Sequence, residues 1–207
     1  MVNIVYGCVT NSRERLERYV TPRVGDRSLI VLWNQTSLAH AYNCIIGACM
    51  FHDIDALILV HDDLELIDPN TEEKFLTALS MPDAGIVGVA GGYDVTGLAW
   101  WNGQTVGHQL TDSGMLDFGP REGDVQSLEG SVMALGPWAL DHLCFDEDAF
   151  TGFHGYDDIG MTVRQHGKRV IVADIDTHHH TTLGFTSIES EQAWLAADQR
   201  FREKWRL

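Results

Sequence analysis

The chain has 207 residues, 44% of them hydrophobic and 21% charged, which is enough for one domain with a substantial buried core. With 14 basic against 30 acidic residues, the formal net charge is −16. That excludes broad binding to a nucleic-acid backbone, which needs a basic face, and the longest apolar stretches, such as Ala56 to Val60, fall far short of a membrane span.

The first predicted strand is Asn3 to Val9, followed by a second at Leu29 to Trp33. Ser37 caps a predicted helix over Leu38 to Phe51. Ala56 to Val60 is continuously apolar, as a strand buried on both faces should be. Asp68-Pro69 predicts a helix start, with apolar residues at helical spacing from Glu72 to Leu79. Ile86 to Ala90 predicts a strand. Gly91 to Gly123, rich in Gly, Asp, Thr and Trp, predicts a long loop or irregular hairpin too polar for core. Strands at Ser131 to Leu135 and Arg169 to Ala173 follow. The capping box Thr186-Ser187-Ile188-Glu189 opens a last helix with Trp194, Ala197, Phe201 and Trp205 on one face. Strand-helix alternation predicts an α/β sheet with right-handed crossovers, whose ligands sit at the carboxyl ends of the strands. No repeat or dividing linker is visible, so residues 1–207 are expected to form one domain. Cys8, Cys44, Cys49 and Cys144 lack CxxC spacing and lie in apolar contexts, which predicts buried free thiols. With no basic segment or cleavage site ahead of Val2 to Tyr6, the expected location is the cytoplasm.

Three clusters carry titratable chemistry. The strand Leu57 to Val60 ends in His61-Asp62-Asp63, hard ligands placed where such a sheet binds its substrate, suited to magnesium or manganese on a diphosphate. The acidic, aromatic segment Phe145 to Tyr156 leads into a helix with Asp157 and Asp158 in its first turn, where the helix dipole alone would favour them. The third is His178-His179-His180, after the strand Arg169 to Ala173. Alternation aims His178 and His180 to one side, as possible metal ligands.

The order of these clusters resembles that of a family 2 glycosyltransferase, and most nearly the small branch of streptomycin-biosynthesis-type domains. The resemblance spans roughly Asn34 to Gly184. Asn34 to Asn43 is similar to the family's segment before its second helix, and His61-Asp62-Asp63 falls at its DxD motif. Asp83 to Gly88 resembles the strand that follows that motif. Trp100-Trp101 resembles a tryptophan pair of this branch, and Leu128-Glu129-Gly130 matches an acid-glycine pair before a strand. Phe145 to Asp158 is similar to a Phe-Asp-Glu…Gly-Phe-His…Tyr-Asp segment, and His180 with Gly184 to a histidine followed by a small-residue loop. The first DxD position is His61, which leaves Asp63 as the aspartate carried over for metal.

The resemblance implies a GT-A fold, with a Rossmann-like mixed, mainly parallel sheet flanked by helices. It implies a nucleotide-binding half over 1–90 and an acceptor and catalytic half over 91–207. The activity it implies is metal-dependent, inverting transfer from a nucleoside-diphosphate sugar to a hydroxyl of a sugar, peptide or small-molecule acceptor. Mn2+ or Mg2+ would be held by Asp63 with His180 or His178. Thr10, Asn34, Asn43, His61 and Asp62 would bind the nucleotide sugar, and Trp100, Trp101, Glu129 and His154 the acceptor. The base is Asp158 counted back from Gly167, or Asp157 counted forward from Phe145. Helical spacing tolerates a deletion poorly, which favours Asp158. Two other readings fit the acid clusters: a non-catalytic member that binds a nucleotide sugar or glycan, and another metal-dependent nucleotidyltransferase or hydrolase. No GxxxxGK[ST] P-loop occurs.

Overall fold

The computed structural model describes residues 2–150, 155–181 and 188–207. In chain order its elements are β1 (Ile4–Thr10), then α1 (Arg13–Arg15) and α2 (Thr21–Val24) joined by a π turn over Leu16–Val20, β2 (Ser28–Trp33), α3 (Leu38–Cys49), β3 (Ala56–His61) and β4 (Leu64–Leu66). Next come α4 (Thr71–Leu79), β5 (Ala84–Gly88), β6 (Ala90–Tyr93), β7 (Gln104–Thr111), β8 (Gly114–Asp117), β9 (Gly123–Val125), β10 (Ser127–Leu128) and β11 (Val132–Leu135). The chain closes with α5 (Pro137–His142), α6 (Gly155–Gln165), β12 (Arg169–Val172), β13 (Thr177–His179) and α7 (Ile188–Trp205).

The apolar runs form the middle of a seven-stranded sheet in the order β2-β1-β3-β11-β5-β12-β9. The pairs β2-β1, β1-β3 and β5-β12 are parallel, and β11 and β9 run against the other five strands. Alternation explains why both faces are apolar. Leu57 and Leu59 pack on one side with Tyr42, Ile45 and Ile159, while Ile58 and Val60 pack on the other with Phe75, Leu16 and Val20. Ser37 caps α3 as expected, accepting from the His40 N–H at 3.2 Å. Gly7 is forced by packing: a Cβ there would meet Ile45 and Leu59 at 2.8 and 2.9 Å.

Three expectations are corrected. Gly91 to Gly123, expected as a long loop or irregular hairpin too polar for core, forms regular antiparallel pairs, β6 with β7 and β7 with β8. Its strands β6 and β7 join a second sheet ordered β10-β6-β7-β13-β4, with β8 paired to β7. Its polarity misled because His108, Gln109 and Thr111 are buried with partners: Asp176 at 2.8 Å from His108, and Ser131 Oγ at 3.0 Å from Gln109. Asp68-Pro69 is a turn, and α4 begins two residues after the proline. The Asp68 side chain accepts the Asn70 N–H at 2.8 Å, and the Thr71 hydroxyl donates to the Asp68 backbone carbonyl. Cys8 and Cys49 are buried, but Cys44 and Cys144 are exposed, because α3 turns Cys44 outward and Cys144 lies past α5.

The face expected on the last helix forms. Ala197 and Phe201 are buried with Trp100 and Phe150, and Trp194 and Trp205 pack at the margins. The capping box over 186–189 and the tip of the loop at 151–154 lie outside the described positions or side chains. Among the described residues, no helix is long and apolar enough to cross a membrane.

Candidate active site

Three parallel strands deliver the site. β1 ends at Thr10, β2 runs into Asn34, and β3 ends at His61, with Asp62 and Asp63 in the turn to β4. Asn34 adopts φ +53° and donates its N–H to the Thr10 carbonyl at 2.9 Å, which pins the two strand ends together. Thr10 Oγ1 donates to Asp62 Oδ2 at 2.5 Å. Arg15, in the turn after β1, reaches Asp62 at 3.3 Å and Asp63 at 3.7 Å, and its side chain is half exposed. The sequence reading missed Arg15; a cation directly behind the first strand of so acidic a chain was its one signal.

Beside Asp63, the antiparallel pairing of β13 with β4 sets Leu64 opposite His179 and Glu65 opposite His178. His179 therefore projects to Asp63, with Nε2 3.2 Å from the carboxylate, and its Nδ1 lies 3.6 Å from Glu129 and 3.3 Å from Gln109. His178 and His180 do share a side, but it is the opposite one, with Glu65 and Asp112. The structure thus brings His179 to Asp63, and not His178 or His180, because strand alternation inverts the expected register. His61, Asp63 and His179 each offer a ligand atom, all within 4.8 Å of one another.

The electrostatics of this group are coupled. Burial works against the His179 imidazolium, but Asp63 and Glu129 outweigh it and push it up to about 10. Burial would raise Asp63, yet its hydrogen bond to the His179 imidazolium, that ring's charge and the Arg15 guanidinium hold it below the usual carboxylate range. Glu129 likewise overcomes its burial, through His179 and the Ser131 N–H at 2.8 Å, and is pulled down to about 2. One imidazolium thus lies between two carboxylates and favours the ionised form of both. His61 behaves in the opposite way: burial and neighbouring His179 hold it neutral, so its lone pair remains available. Its Nε2 lies 2.6 Å from the Tyr156 hydroxyl, which donates onward to Tyr42 at 2.9 Å. Gly130, at φ +93°, makes room for that tyrosine: a Cβ there would stand 2.2 Å from the Tyr156 ring.

The remaining candidates are dispersed. Asn43 spends its amide on the segment after α5, bonding the Phe145 N–H and carbonyl and Glu147. Glu129 sits in the histidine group, away from the tryptophans. Trp100 is buried edge-on against Phe118, whereas Trp101 is half exposed and stacks on Trp194 at 6.3 Å. His154 lies outside the described residues. Asp157 and Asp158 are both buried in the first turn of α6. Asp157 accepts from Ser127 Oγ, and Asp158 from Lys204 Nζ and Trp205 Nε1, each at 2.9 Å. Burial raises both carboxyls, more strongly at Asp157; at Asp158 the Lys204 ammonium opposes it. A cleft of about 590 Å3 between α4 and β12 shares no residue with this constellation.

Residues 7–204 match the family described as "Glycosyltransferase like family". The chain belongs to that family. It is 31% identical over 197 residues to the streptomycin biosynthesis protein StrF of Streptomyces griseus, covering 90% of this chain and 70% of StrF. Among solved structures it is similar to GalNAc-T7 with UDP, GalNAc and Mn2+ (TM-score 0.63, 12% identity, 96% of this chain and 48% of that one). It is also similar to the mannosyltransferase PcManGT of Pyrobaculum calidifontis in complex with GDP-Man and Mn2+ (TM-score 0.60, 14% identity, 99% and 64%). The glycosyltransferase therefore has the GT-A fold, and its candidate site lies at the carboxyl ends of β1, β2 and β3, where open α/β sheets hold ligands.

Proposed function

We propose that this glycosyltransferase moves a sugar from a nucleoside-diphosphate sugar to a hydroxyl acceptor, with inversion at the anomeric carbon and with Mn2+ or Mg2+ as cofactor. The observation that carries the reading is the convergence of His61, Asp63 and His179 at the end of β3. That donor set fits a divalent cation. Its two imidazole nitrogens weigh toward manganese, because magnesium prefers oxygen ligands. When bound there, the metal would neutralise the negative charge that grows on the departing diphosphate. Both solved relatives named above contain Mn2+ with UDP or GDP-Man, which supports the same assignment here.

The chain's own residues divide the remaining work. Arg15 supplies a half-exposed guanidinium for a diphosphate oxygen. Thr10 and Asn34 fix the strand ends, and Asp62, tied to both Thr10 and Arg15, orients that corner. Asn43 holds the segment that leads to α6. Tyr156 ties the first turn of α6 to His61, so the catalytic carboxylate and the ligand group share one support. Asp158 is the base that takes the acceptor proton: burial raises its pKa toward neutrality, which suits a general base. Asp157 is committed to Ser127 beneath the helix. Trp101, stacked on Trp194, presents a half-exposed aromatic face for the acceptor. Residues 1–90 thus supply most of the donor side, joined there by Glu129 and His179, and the rest of 91–207 serves the acceptor and the base.

The test is transfer and hydrolysis of a panel of nucleotide sugars with and without manganese, on wild type and on Asp158→Asn. The variant should lose about a hundred- to ten-thousand-fold in rate, with donor affinity near normal. Near-native rates in Asp158→Asn would overturn the assignment of the base. Metal-independent turnover would overturn the assignment of the ligand group.

A further inference from the structure

We infer that the opposite face of the β4-β13 pair carries a second, structural site for a divalent transition metal, built from Glu65, His178 and His180 with Asp112 beside them. Each of the first three offers a ligand atom within 4.8 Å of the others. The site is dictated by register. His178 lies directly across the ladder from Glu65, and His180 returns to the same face two residues on. Asp112 arrives from the end of β7, which pairs with β13 in parallel. His180 Nε2 lies 3.3 Å from Glu65 Oε2, its Nδ1 3.4 Å from Asp112 Oδ1, and His178 Nε2 3.1 Å from that same oxygen. One imidazole gives a single nitrogen to one ion, so Glu65, His178 and His180 form the ligand set and Asp112 holds the rings from behind.

A carboxylate behind a metal-bound imidazole is the usual way its ring is held. The rings are fixed before any ion arrives. His180 is sandwiched between His178, at 3.8 Å between centroids, and Tyr19, at 3.9 Å and 17°. Arg23 pairs with Glu65 Oε1 and leaves Oε2 facing the histidines. Two imidazoles with one carboxylate select zinc-like ions over magnesium or calcium. Occupancy would lock β13 to β4 and so fix His179 on the other face, toward Asp63.

The experiment counts zinc retained after dialysis of the full chain, in wild type, Asp63→Asn, His178→Ala and Glu65→Gln. We expect Asp63→Asn to keep one equivalent, and its double variant with His178→Ala or Glu65→Gln to keep none. Added zinc should raise the Tm of Asp63→Asn but not of the double variants. Circular dichroism of each variant reports folding, and Glu65→Gln preserves side-chain shape should His178→Ala not fold. Zinc content unchanged by both substitutions, or no zinc in Asp63→Asn, would overturn the site. Failure of the Asp63 group shows separately, as a wild-type count that Asp63→Asn does not lower.

Discussion

Gly130→Ala tests whether the path from Gly130 through Tyr156 to His61 is what shapes the site. Two costs can be worked from the structure. Gly130 holds φ +93°, and forcing a non-glycine residue into left-handed backbone costs roughly 1–2 kcal/mol. The new methyl would also stand 2.2 Å from Tyr156 Cδ2 and 2.4 Å from Cγ, so the buried ring must move. Overpacking of that kind costs a further 1–3 kcal/mol or so, giving about 2–5 kcal/mol in all. Gly167 is the control. It has φ +71° with nothing within 4 Å of a Cβ, so Gly167→Ala should show the backbone cost alone. The assay is urea unfolding of both variants, paired with calorimetry of nucleoside diphosphate and manganese binding. Gly130→Ala should be the less stable by about 1–3 kcal/mol. It should also bind the metal complex more weakly, because the Tyr156 hydroxyl leaves His61, whereas Gly167→Ala should bind normally. Equal stability and equal binding in the two variants would refute the reasoning.

Three more outcomes follow from the same geometry. Asp63→Asn should abolish manganese-dependent nucleotide binding while the circular dichroism spectrum is unchanged; unaltered affinity in calorimetry would remove Asp63 from the ligand set. Arg15→Ala should weaken donor binding about tenfold, worth about 1.4 kcal/mol, with stability within about 1 kcal/mol of wild type because its ion pairs are half exposed. Asp157→Asn should gain stability relative to wild type as pH rises. Burial raises the folded-state pKa, so the native state holds this proton more tightly, and its contribution is fully present below the unfolded value near 3.9 and lost as pH climbs through the folded one. Melting both proteins between pH 4 and 8 checks this, and a Tm difference, variant minus wild type, that falls with pH would count against it.

The strand that ends in His61-Asp62-Asp63 was legible because a continuous apolar run stops abruptly in charge, and burial on both faces leaves that signature in one dimension. The final helix was legible for the same reason at period 3.6. The partner of Asp63 was not. Which of three adjacent histidines faces it depends on how β13 registers against β4, a strand of only three residues, Leu64–Leu66, with no periodicity to read. Alternation within the triplet was visible; its absolute phase is a tertiary fact. The second sheet stayed hidden because its buried polar residues are solvated by protein. Gln109 reaches both Ser131 and His179, so the polarity that suggested a loop is what supports the site from beneath.

On the proposed reading, that arrangement lets a chain of net charge −16 face an anionic donor. The acids nearest the strand ends are already matched in place: Asp62 to Thr10 and Arg15, and Asp63 and Glu129 to His179. A cation entering among His61, Asp63 and His179 displaces the His179 proton, since only the neutral imidazole ligates, and takes over the charge of Asp63 and Glu129. The field felt by a diphosphate is set at this distance, since charges beyond about 8–10 Å are screened in salt. The remaining carboxylates can therefore stay on the surface without repelling the donor. Raising ionic strength should accordingly change donor affinity little in wild type. It should matter even less in Arg15→Ala, which lacks the half-exposed guanidinium beside Asp62 and Asp63. A steep rise in wild-type affinity with salt would mean that distant acids repel the donor after all.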